Sequence, residues 1–422
     1  MKFAFVTPRY GPEISTGAEQ ACRLLAERVS ERHSVDVLTT CARDPQTWKN
    51  EYSEGADRVR GVLVRRFAVN HGHDRATFRR LSARMFGNPH GREEEQEWVR
   101  SLGPVSAGLI EHLKRQHRSY DALVFFSLYH ATTVFGLTVF PERSVLFPYL
   151  RLDPPLRFGI WSGVFESARA VGYLSAAERT LSRRFLRVAV PDEVVGLGIE
   201  TPAQQRYPRY QQDPADAMSE VDDQNVPPDE AEATQYLAGR GIPFRRRHRL
   251  YGSFVLYGGR VQPDNGCEEM LEYFDSYAAI DGDTALVLMG PKLMKVPEPW
   301  YLRMAGVLPE RERMIAYEAA DVALAPESDD LAATTVLESF AVGTPVLANA
   351  RNDAAVDYCR RANAGLYYAN RDEFKDALQL LMTDVRLRAR LGENGRRYVR
   401  LHHRWDAVVG RFERLVMRVR KP

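Results

Sequence analysis

Short apolar runs alternate with amphipathic stretches along most of the chain, a pattern that predicts strands alternating with helices. The predicted strands are residues 3–6, 35–38, 122–126, 144–147, 254–257, 286–289, 322–325, 346–347 and 366–368. Helical spacing covers residues 18–31, 130–137 and 405–419. This alternation is typical of parallel sheets that carry helices on both faces.

The length of 422 residues favours two domains over one. We therefore predict an α/β protein with two Rossmann-like domains, residues 1–199 and 251–403, whose parallel sheets face a central cleft. Residues 70–117 are interpreted as an irregular helical insertion. An interdomain linker covers residues 200–250, and a C-terminal helix within residues 404–422 is expected to cross the domain junction.

The linker has a strongly uneven charge distribution. Residues 213–232 contain eight acidic residues and neither lysine nor arginine, whereas residues 245–249 read Arg-Arg-Arg-His-Arg. The first stretch is typical of an acidic linker and the second of a basic helix. The basic run is either a solvated helix face or a site for an acidic lipid or another polyanion.

Composition excludes several classes of protein. The net charge of +2 gives no overall field that would attract nucleic acid or a membrane surface. The longest apolar runs are too short for an integral membrane segment, and the N-terminus begins as a strand rather than a signal peptide. The four cysteines are far apart in sequence, which argues against a zinc site or a disulfide framework and favours a cytoplasmic protein.

Residues 326–345 carry the most informative pattern. Asp330 follows a predicted strand, and Glu338 comes eight positions later within a helical pattern. A helix that starts directly after a strand and loop can bind an anion, and two flanking carboxylates can hold hydroxyl groups. A nucleotide sugar would require both features. Alternatively, Thr335 and Glu338 form a capping box and Asp330 is a solvated loop acid.

Other candidate residues also follow predicted strands. Gly17 lies where the first strand leads into the first helix, where it either approaches a ligand or simply shapes a loop. Arg260 follows the first strand of the second half and either neutralises phosphate or is solvated. His130 is either a ligand contact or a core histidine. Asp281 and Asp283 are interpreted as a surface turn.

Together these segments resemble the family 4 glycosyltransferases, which have the two-domain GT-B fold. The resemblance covers nearly the whole chain except the acidic linker. It is carried by Thr16-Gly-Ala-Glu19, Thr39-Thr-Cys-Ala42 with Trp48, Gly259-Arg260, Gly266-Cys-Glu-Glu-Met-Leu, Val336-Leu-Glu338, Ala341-Val-Gly-Thr-Pro345 and Gly365-Leu-Tyr-Tyr368.

The resemblance implies transfer of a sugar from a nucleotide-diphosphate donor, with retention at the anomeric carbon and without a metal or other cofactor. Glu338 would bind the ribose, and Asp330 would face the transferred sugar. The diphosphate would be held by Arg260 and by the N–H groups of Thr334, Thr335 and Val336. The loop at Gly17 would approach the donor phosphates or the acceptor.

The chain departs from the family pattern at four positions. Asp330 stands where the family has glutamate, and Asn265 replaces a lysine five residues after Arg260. Arg151 replaces a histidine that contacts the transferred sugar, and Thr16 replaces a glycine. Asn265 and Arg151 are therefore included among the predicted site residues.

These departures leave three accounts open. The first is a transferase with an unusual donor, such as an acidic sugar paired with Arg151, in polysaccharide, glycoconjugate or natural-product assembly. The second is a slow or differently organised transferase. The third is an impaired binding subunit of an active glycosyltransferase. A GT-B epimerase or phosphorylase is a further class. The expected partners are a nucleotide sugar, an unidentified acceptor, and a partner glycosyltransferase or a second copy, but no nucleic acid.

Overall fold

The computed structural model describes residues 1–14, 17–200 and 241–420. The chain divides into two units. The first contains Met1–Gly198 and Trp405–Pro422, and the second contains Ile199–Arg404. The predicted acidic stretch at 213–232 and the predicted family position Thr16 lie outside the described residues.

The first unit is built on one sheet with the order β3-β4-β2-β1-β5-β6-β7-β8. All neighbouring strands are parallel except β3 and β4, which form an antiparallel pair. The strands are β1 (Lys2–Val6), β2 (Ser34–Thr40), β3 (Gly55–Val59), β4 (Val62–Phe67), β5 (Ala122–Phe126), β6 (Ser144–Phe147), β7 (Ala170–Tyr173) and β8 (Asp192–Val194).

Helices pack around this sheet, and residues 70–117, predicted as an irregular helical insertion, form three regular helices. Asp74 and Ser106 cap two of these helices by accepting backbone N–H groups. The helices of the unit are α1 (Gly17–Val29), α2 (Arg75–Met85), α3 (Arg92–Leu102), α4 (Ala107–Gln116), α5 (Ala131–Gly136), α6 (Ile160–Glu166), α7 (Ala176–Phe185) and the C-terminal helix α15 (Trp405–Arg420).

The C-terminal helix returns the chain to the first unit and completes its core. The ring of Phe412 on α15 lies 5.5 Å from that of Phe3 and 5.7 Å from that of Phe5, both on β1. All three side chains are fully buried. The expected helix is therefore present, and its apolar face packs against the first sheet.

The second unit has a fully parallel sheet with the order β11-β10-β9-β12-β13-β14. Its strands are β9 (Phe254–Gly258), β10 (Ala285–Met289), β11 (Leu302–Gly306), β12 (Val322–Ala325), β13 (Val346–Asn349) and β14 (Gly365–Tyr368). Its helices are α8 (Ile242–His248), α9 (Cys267–Asp281), α10 (Glu310–Ala319), α11 (Thr334–Val342), α12 (Asp353–Ala362), α13 (Arg371–Thr383) and α14 (Val385–His402). The predicted α/β class with two Rossmann-like units is confirmed.

The basic run on α8 is partly structural. The Arg245 guanidinium donates to the carbonyl oxygens of Ala319 and Gly252 at 2.7 and 2.8 Å. Arg247 forms an ion pair with Glu312 on α10. These contacts fasten α8 to the second unit, so Arg245 is not part of a simple solvated face. Within the described ranges, no helix combines the length and the apolar character needed to span a membrane.

Candidate functional site

The candidate donor site of the second unit lies beyond the carboxyl ends of β9 and β12, which are neighbours in the sheet. Ligands of parallel α/β sheets bind at this edge. Arg260 follows β9, and its side chain is exposed. Its guanidinium has no hydrogen-bond or ion-pair partner among the described residues. Arg260 therefore offers an uncommitted cation at the predicted position.

The loop after β12 leads into α11, whose first turn is open. Ala333 precedes the helix with φ of 43°, and no side chain caps it. The N–H of Val336 donates to the Ala333 carbonyl at 3.1 Å. Thr334 and Thr335, both half-buried, begin the helix with N–H groups that no intrahelical carbonyl can accept. These two amides and the helix dipole can receive an anion.

Glu338 lies within α11 and is bound by Arg313 of α10. The two carboxylate oxygens accept hydrogen bonds of 2.5 and 3.1 Å from the Arg313 guanidinium. Burial raises the pKa of Glu338, and the charge and hydrogen bonds of Arg313 oppose this shift. The capping-box interpretation is wrong, since α11 begins at Thr334 and Glu338 binds a side chain of another helix.

Asp330 and Asn265 flank this region. Oδ1 of Asp330 accepts a hydrogen bond of 3.1 Å from the N–H of Ala332, so the acid shapes the loop before α11. Asn265 lies in a turn before α9, where its Oδ1 accepts from the Gln262 amide at 2.9 Å. Its Nδ2 donates to the Tyr257 hydroxyl at 3.3 Å. The position at which the family has lysine is thus occupied by a hydrogen-bonded neutral amide.

Glu327 is a site residue that the sequence analysis missed. It lies directly after Pro326 at the end of β12 and is only 7% exposed. One of its carboxyl oxygens is 3.0 Å from the Tyr257 hydroxyl. Burial, followed by the charge of Asp330, raises the pKa of Glu327 to about 8. The only signal in the sequence was an acid next to a buried strand, which does not by itself indicate a site.

In the first unit, Gly17 opens α1 with φ of 72°, a backbone region that favours glycine. Glu19, two residues later, forms a buried ion pair with Arg9, whose Nε and Nη2 are 3.0 and 2.9 Å from Oε1. The Glu19 carboxylate is thus bound by Arg9 of the preceding loop, and this ion pair fixes the start of α1.

Arg151 lies in the loop after β6, and its side chain is exposed. The preceding backbone is held by Glu178 of α7, which accepts hydrogen bonds from the N–H groups of Leu150 and Leu174 at 3.0 and 2.7 Å. Burial raises the pKa of Glu178 to about 7 although these N–H groups oppose the shift. Glu178 is therefore a second missed residue, one that fixes the loop carrying Arg151.

His130 precedes α5 and is half-buried. Its Nδ1 lies 2.7 Å from the Ser127 hydroxyl, and its ring packs edge-on against Trp48 at 5.5 Å. Burial lowers the pKa of His130 to about 4, so the ring is neutral at neutral pH. The choice between a ligand contact and a packing role for His130 stays open.

The Arg260 cation and the Thr334 and Thr335 amides are groups that can bind phosphate oxygens. The Glu338 carboxylate has lone pairs beyond those used by Arg313, so it can accept hydrogen bonds from hydroxyl groups. In the described ranges, no cluster of three or more His, Cys, Asp or Glu side chains is arranged to bind a metal ion.

Residues 243–398 match the family model of the glycosyl transferases group 1. The whole chain is similar in structure to a sucrose-phosphate synthase from Thermosynechococcus elongatus, with a TM-score of 0.64 at 16% identity over 99% of this chain and 98% of that one. The chain is also similar to HepE from Anabaena, solved with UDP and glucose, with a TM-score of 0.64 at 13% identity over 99% of both chains.

An α,α-trehalose 6-phosphate synthase from Burkholderia multivorans gives a TM-score of 0.63 at 12% identity, over 99% of this chain and 98% of that one. At such low identity these solved structures support the fold alone. With the family match they confirm the predicted resemblance.

Proposed function

We propose that this chain, residues 243–398 of which match the family model of the glycosyl transferases group 1, moves a sugar from a nucleotide-diphosphate donor to an acceptor with retention at the anomeric carbon. The reaction would need no metal and would serve polysaccharide, glycoconjugate or natural-product assembly in the cytoplasm. The four buried, unpaired cysteines are consistent with that compartment.

One observation carries this proposal. The turn with Arg260 and the loop that leads into α11 contact each other at the ends of adjacent strands, through Tyr257 and Glu327. Among the described residues the Arg260 guanidinium has no partner, and no side chain caps the start of α11. Both features therefore belong to the same edge of one sheet. Both features bind phosphate oxygens.

These groups suit the chemistry of sugar transfer. When the bond between the anomeric carbon and the diphosphate breaks, negative charge develops on the leaving phosphate oxygen. A fixed guanidinium and fixed N–H groups stabilise that charge without reorganising, which lowers the barrier. We assign Arg260, Thr334 and Thr335 to this role, with Val336 completing the turn. Glu338 would bind the ribose and Asp330 the transferred sugar.

The first unit is proposed to supply the remaining contacts. The Gly17 loop would approach the donor phosphates or the acceptor. Arg151 would contact the transferred sugar, and its positive charge would favour a sugar that carries a carboxylate. Since a solved structure of the same fold holds UDP and glucose, uridine nucleotides are the first donors to test.

The experiment is a panel of nucleotide sugars incubated with the purified full chain, with release of nucleoside diphosphate as the readout. We expect release with at least one donor, and NMR of the product should show the anomeric configuration of the donor. Glu338→Gln is expected to reduce release more than tenfold. Nucleotide binding with no release from any donor would contradict the enzymatic proposal.

The neutral amide at position 265 gives some support to a second candidate, a nucleotide-binding subunit that partners an active glycosyltransferase. Asn265 is held by Gln262 and Tyr257, and the cation of the family pattern is missing there. The double variant Asn265→Lys with Arg151→His separates the two. Activity gained from none would favour the impaired subunit, whereas loss of a measurable activity would show that both residues set donor preference.

A further inference from the structure

The buried carboxyl of Glu327 has no part in the mechanism proposed above, yet it lies next to the turn that carries Arg260. Its Oε1 would be only 3.2 Å from a Cβ atom added at Gly259, the residue before Arg260. A side chain at Gly259 would also collide with the Tyr257 hydroxyl. The turn that carries Arg260 therefore rests directly on Glu327 and Tyr257.

The hydrogen bonds around Tyr257 indicate where the protons lie. Its hydroxyl oxygen is 3.0 Å from Glu327, 3.1 Å from the Arg260 carbonyl and 3.3 Å from Nδ2 of Asn265. A hydroxyl has one proton to donate and two lone pairs to accept. All three contacts are satisfied when Tyr257 donates to the Arg260 carbonyl and accepts from Asn265 and from a protonated Glu327.

Ionisation of Glu327 breaks this arrangement. The carboxylate can only accept, so the Tyr257 proton must turn toward it, and the Arg260 carbonyl then loses its hydroxyl donor. The Arg260 turn would be held less firmly, and a negative charge would lie beneath the diphosphate. The amide of Asn265 carries no charge that could compensate, whereas a lysine at this position would.

The surroundings of Glu327 favour the protonated form near neutral pH. Burial first, and then the neighbouring acids of the same loop, raise its pKa to about 8. Burial also raises the pKa of the tyrosines and the cysteine that face it, so these groups stay neutral in this range. The neighbouring acids are Asp329 and Asp330. The groups that stay neutral are Tyr257, Cys267, Tyr317 and Tyr368.

We propose that Glu327 is a positioning residue of the donor site, which in its protonated form holds the Arg260 turn through Tyr257 and on ionisation weakens diphosphate binding. This inference rests on the proposed function, because it assumes that the edge formed by β9 and β12 binds a nucleoside diphosphate. It also gives Asn265 a role, since a neutral residue there preserves the protonated carboxyl.

The test is calorimetric titration of the full chain with UDP between pH 7 and 9.5. If only the protonated form binds well, affinity should fall about tenfold from pH 7 to pH 9. Glu327→Gln supplies a neutral amide that can donate to Tyr257, so its affinity should be nearly constant with pH. Glu272→Gln, an exposed acid on α9, is the matched control and should retain the dependence of the natural protein.

A second variant, Asn265→Lys, keeps the test decisive if Glu327→Gln folds poorly. The added cation should favour the ionised carboxyl and offset its charge, so the loss of affinity above pH 8 should disappear. Equal pH dependence in the natural protein and both variants overturns the inference while leaving UDP binding intact. No UDP binding at any pH, in natural protein or variants, instead overturns the proposed function and with it this inference.

Discussion

The guanidinium of Arg313 on α10 donates hydrogen bonds of 2.5 and 3.1 Å to the two carboxylate oxygens of Glu338 on α11. Such a two-point ion pair fixes orientation as well as position. The side chain of Glu338 is nearly buried, whereas that of Arg313 is 29% exposed. The ribose-binding role proposed for Glu338 therefore depends on a cation 25 residues earlier in the chain.

Arg313→Ala should weaken UDP binding and lower stability together. It leaves the buried Glu338 carboxyl without its partner, which costs about 2 kcal/mol of unfolding free energy. UDP affinity should fall at least severalfold because the carboxyl is no longer oriented. Arg311→Ala, an exposed residue on the same helix, is the control and should change neither quantity. An unchanged UDP affinity in Arg313→Ala would count against the role of Glu338.

Glu178 gives a prediction about stability and pH. Its pKa in the folded protein, about 7, is above the ordinary value of 4.5. The folded state thus holds a proton that the unfolded state releases, and the contribution of Glu178 to stability declines as pH rises through about 7. The difference in unfolding free energy between natural protein and Glu178→Gln should therefore be larger at pH 5 than at pH 8.5.

Glu178→Gln should also destabilise the protein at pH 5. Glutamine offers one acceptor oxygen, whereas Glu178 accepts from two backbone N–H groups with two oxygens. One N–H is left unsatisfied, at a cost of about 1–3 kcal/mol. Denaturant unfolding monitored by circular dichroism gives the unfolding free energies of the natural protein and of Glu178→Gln. If the difference between these two free energies rises with pH, the protonation state assigned to Glu178 is refuted.

The C-terminal helix offers a test of the first-unit core. Phe412→Ala removes a fully buried ring that contacts Phe3 and Phe5. The expected loss is about 3–5 kcal/mol of unfolding free energy. Met417→Ala on the same helix removes a side chain that is 54% exposed and should change stability by about 0.5 kcal/mol or less. Equal effects of the two substitutions would contradict this packing.

The sequence predicted the parts of the fold that carry strong patterns. The buried strands β5, β9, β10 and β12, and β1 after its first residue Lys2, consist of apolar residues and glycine, so their prediction was straightforward. Strand β3 was missed because four of its five residues are exposed and polar or small. Strand β11 was missed because, at the sheet edge, it buries only Leu302.

The candidate site was predicted only where a motif was present. Arg260 and Glu338 stand at family positions. The structure adds their contacts: Tyr257 binds the Arg260 turn, and Arg313 binds Glu338. Arg313, Glu327 and Glu178 act through contacts with residues distant in sequence, and no local pattern marks such pairs. Glu327 meets Tyr257 across 70 positions, a proximity that arises only when β9 and β12 pair in the sheet.

The central claim is that Arg260 binds the diphosphate of the donor, and calorimetric titration with UDP tests it most directly. Arg260→Ala should bind UDP roughly thirtyfold more weakly than the natural protein, since a charge-assisted contact contributes about 2 kcal/mol. Arg386→Ala, an exposed arginine on α14, should bind UDP with unchanged affinity. Equal affinity of the natural protein and Arg260→Ala for UDP would contradict the account.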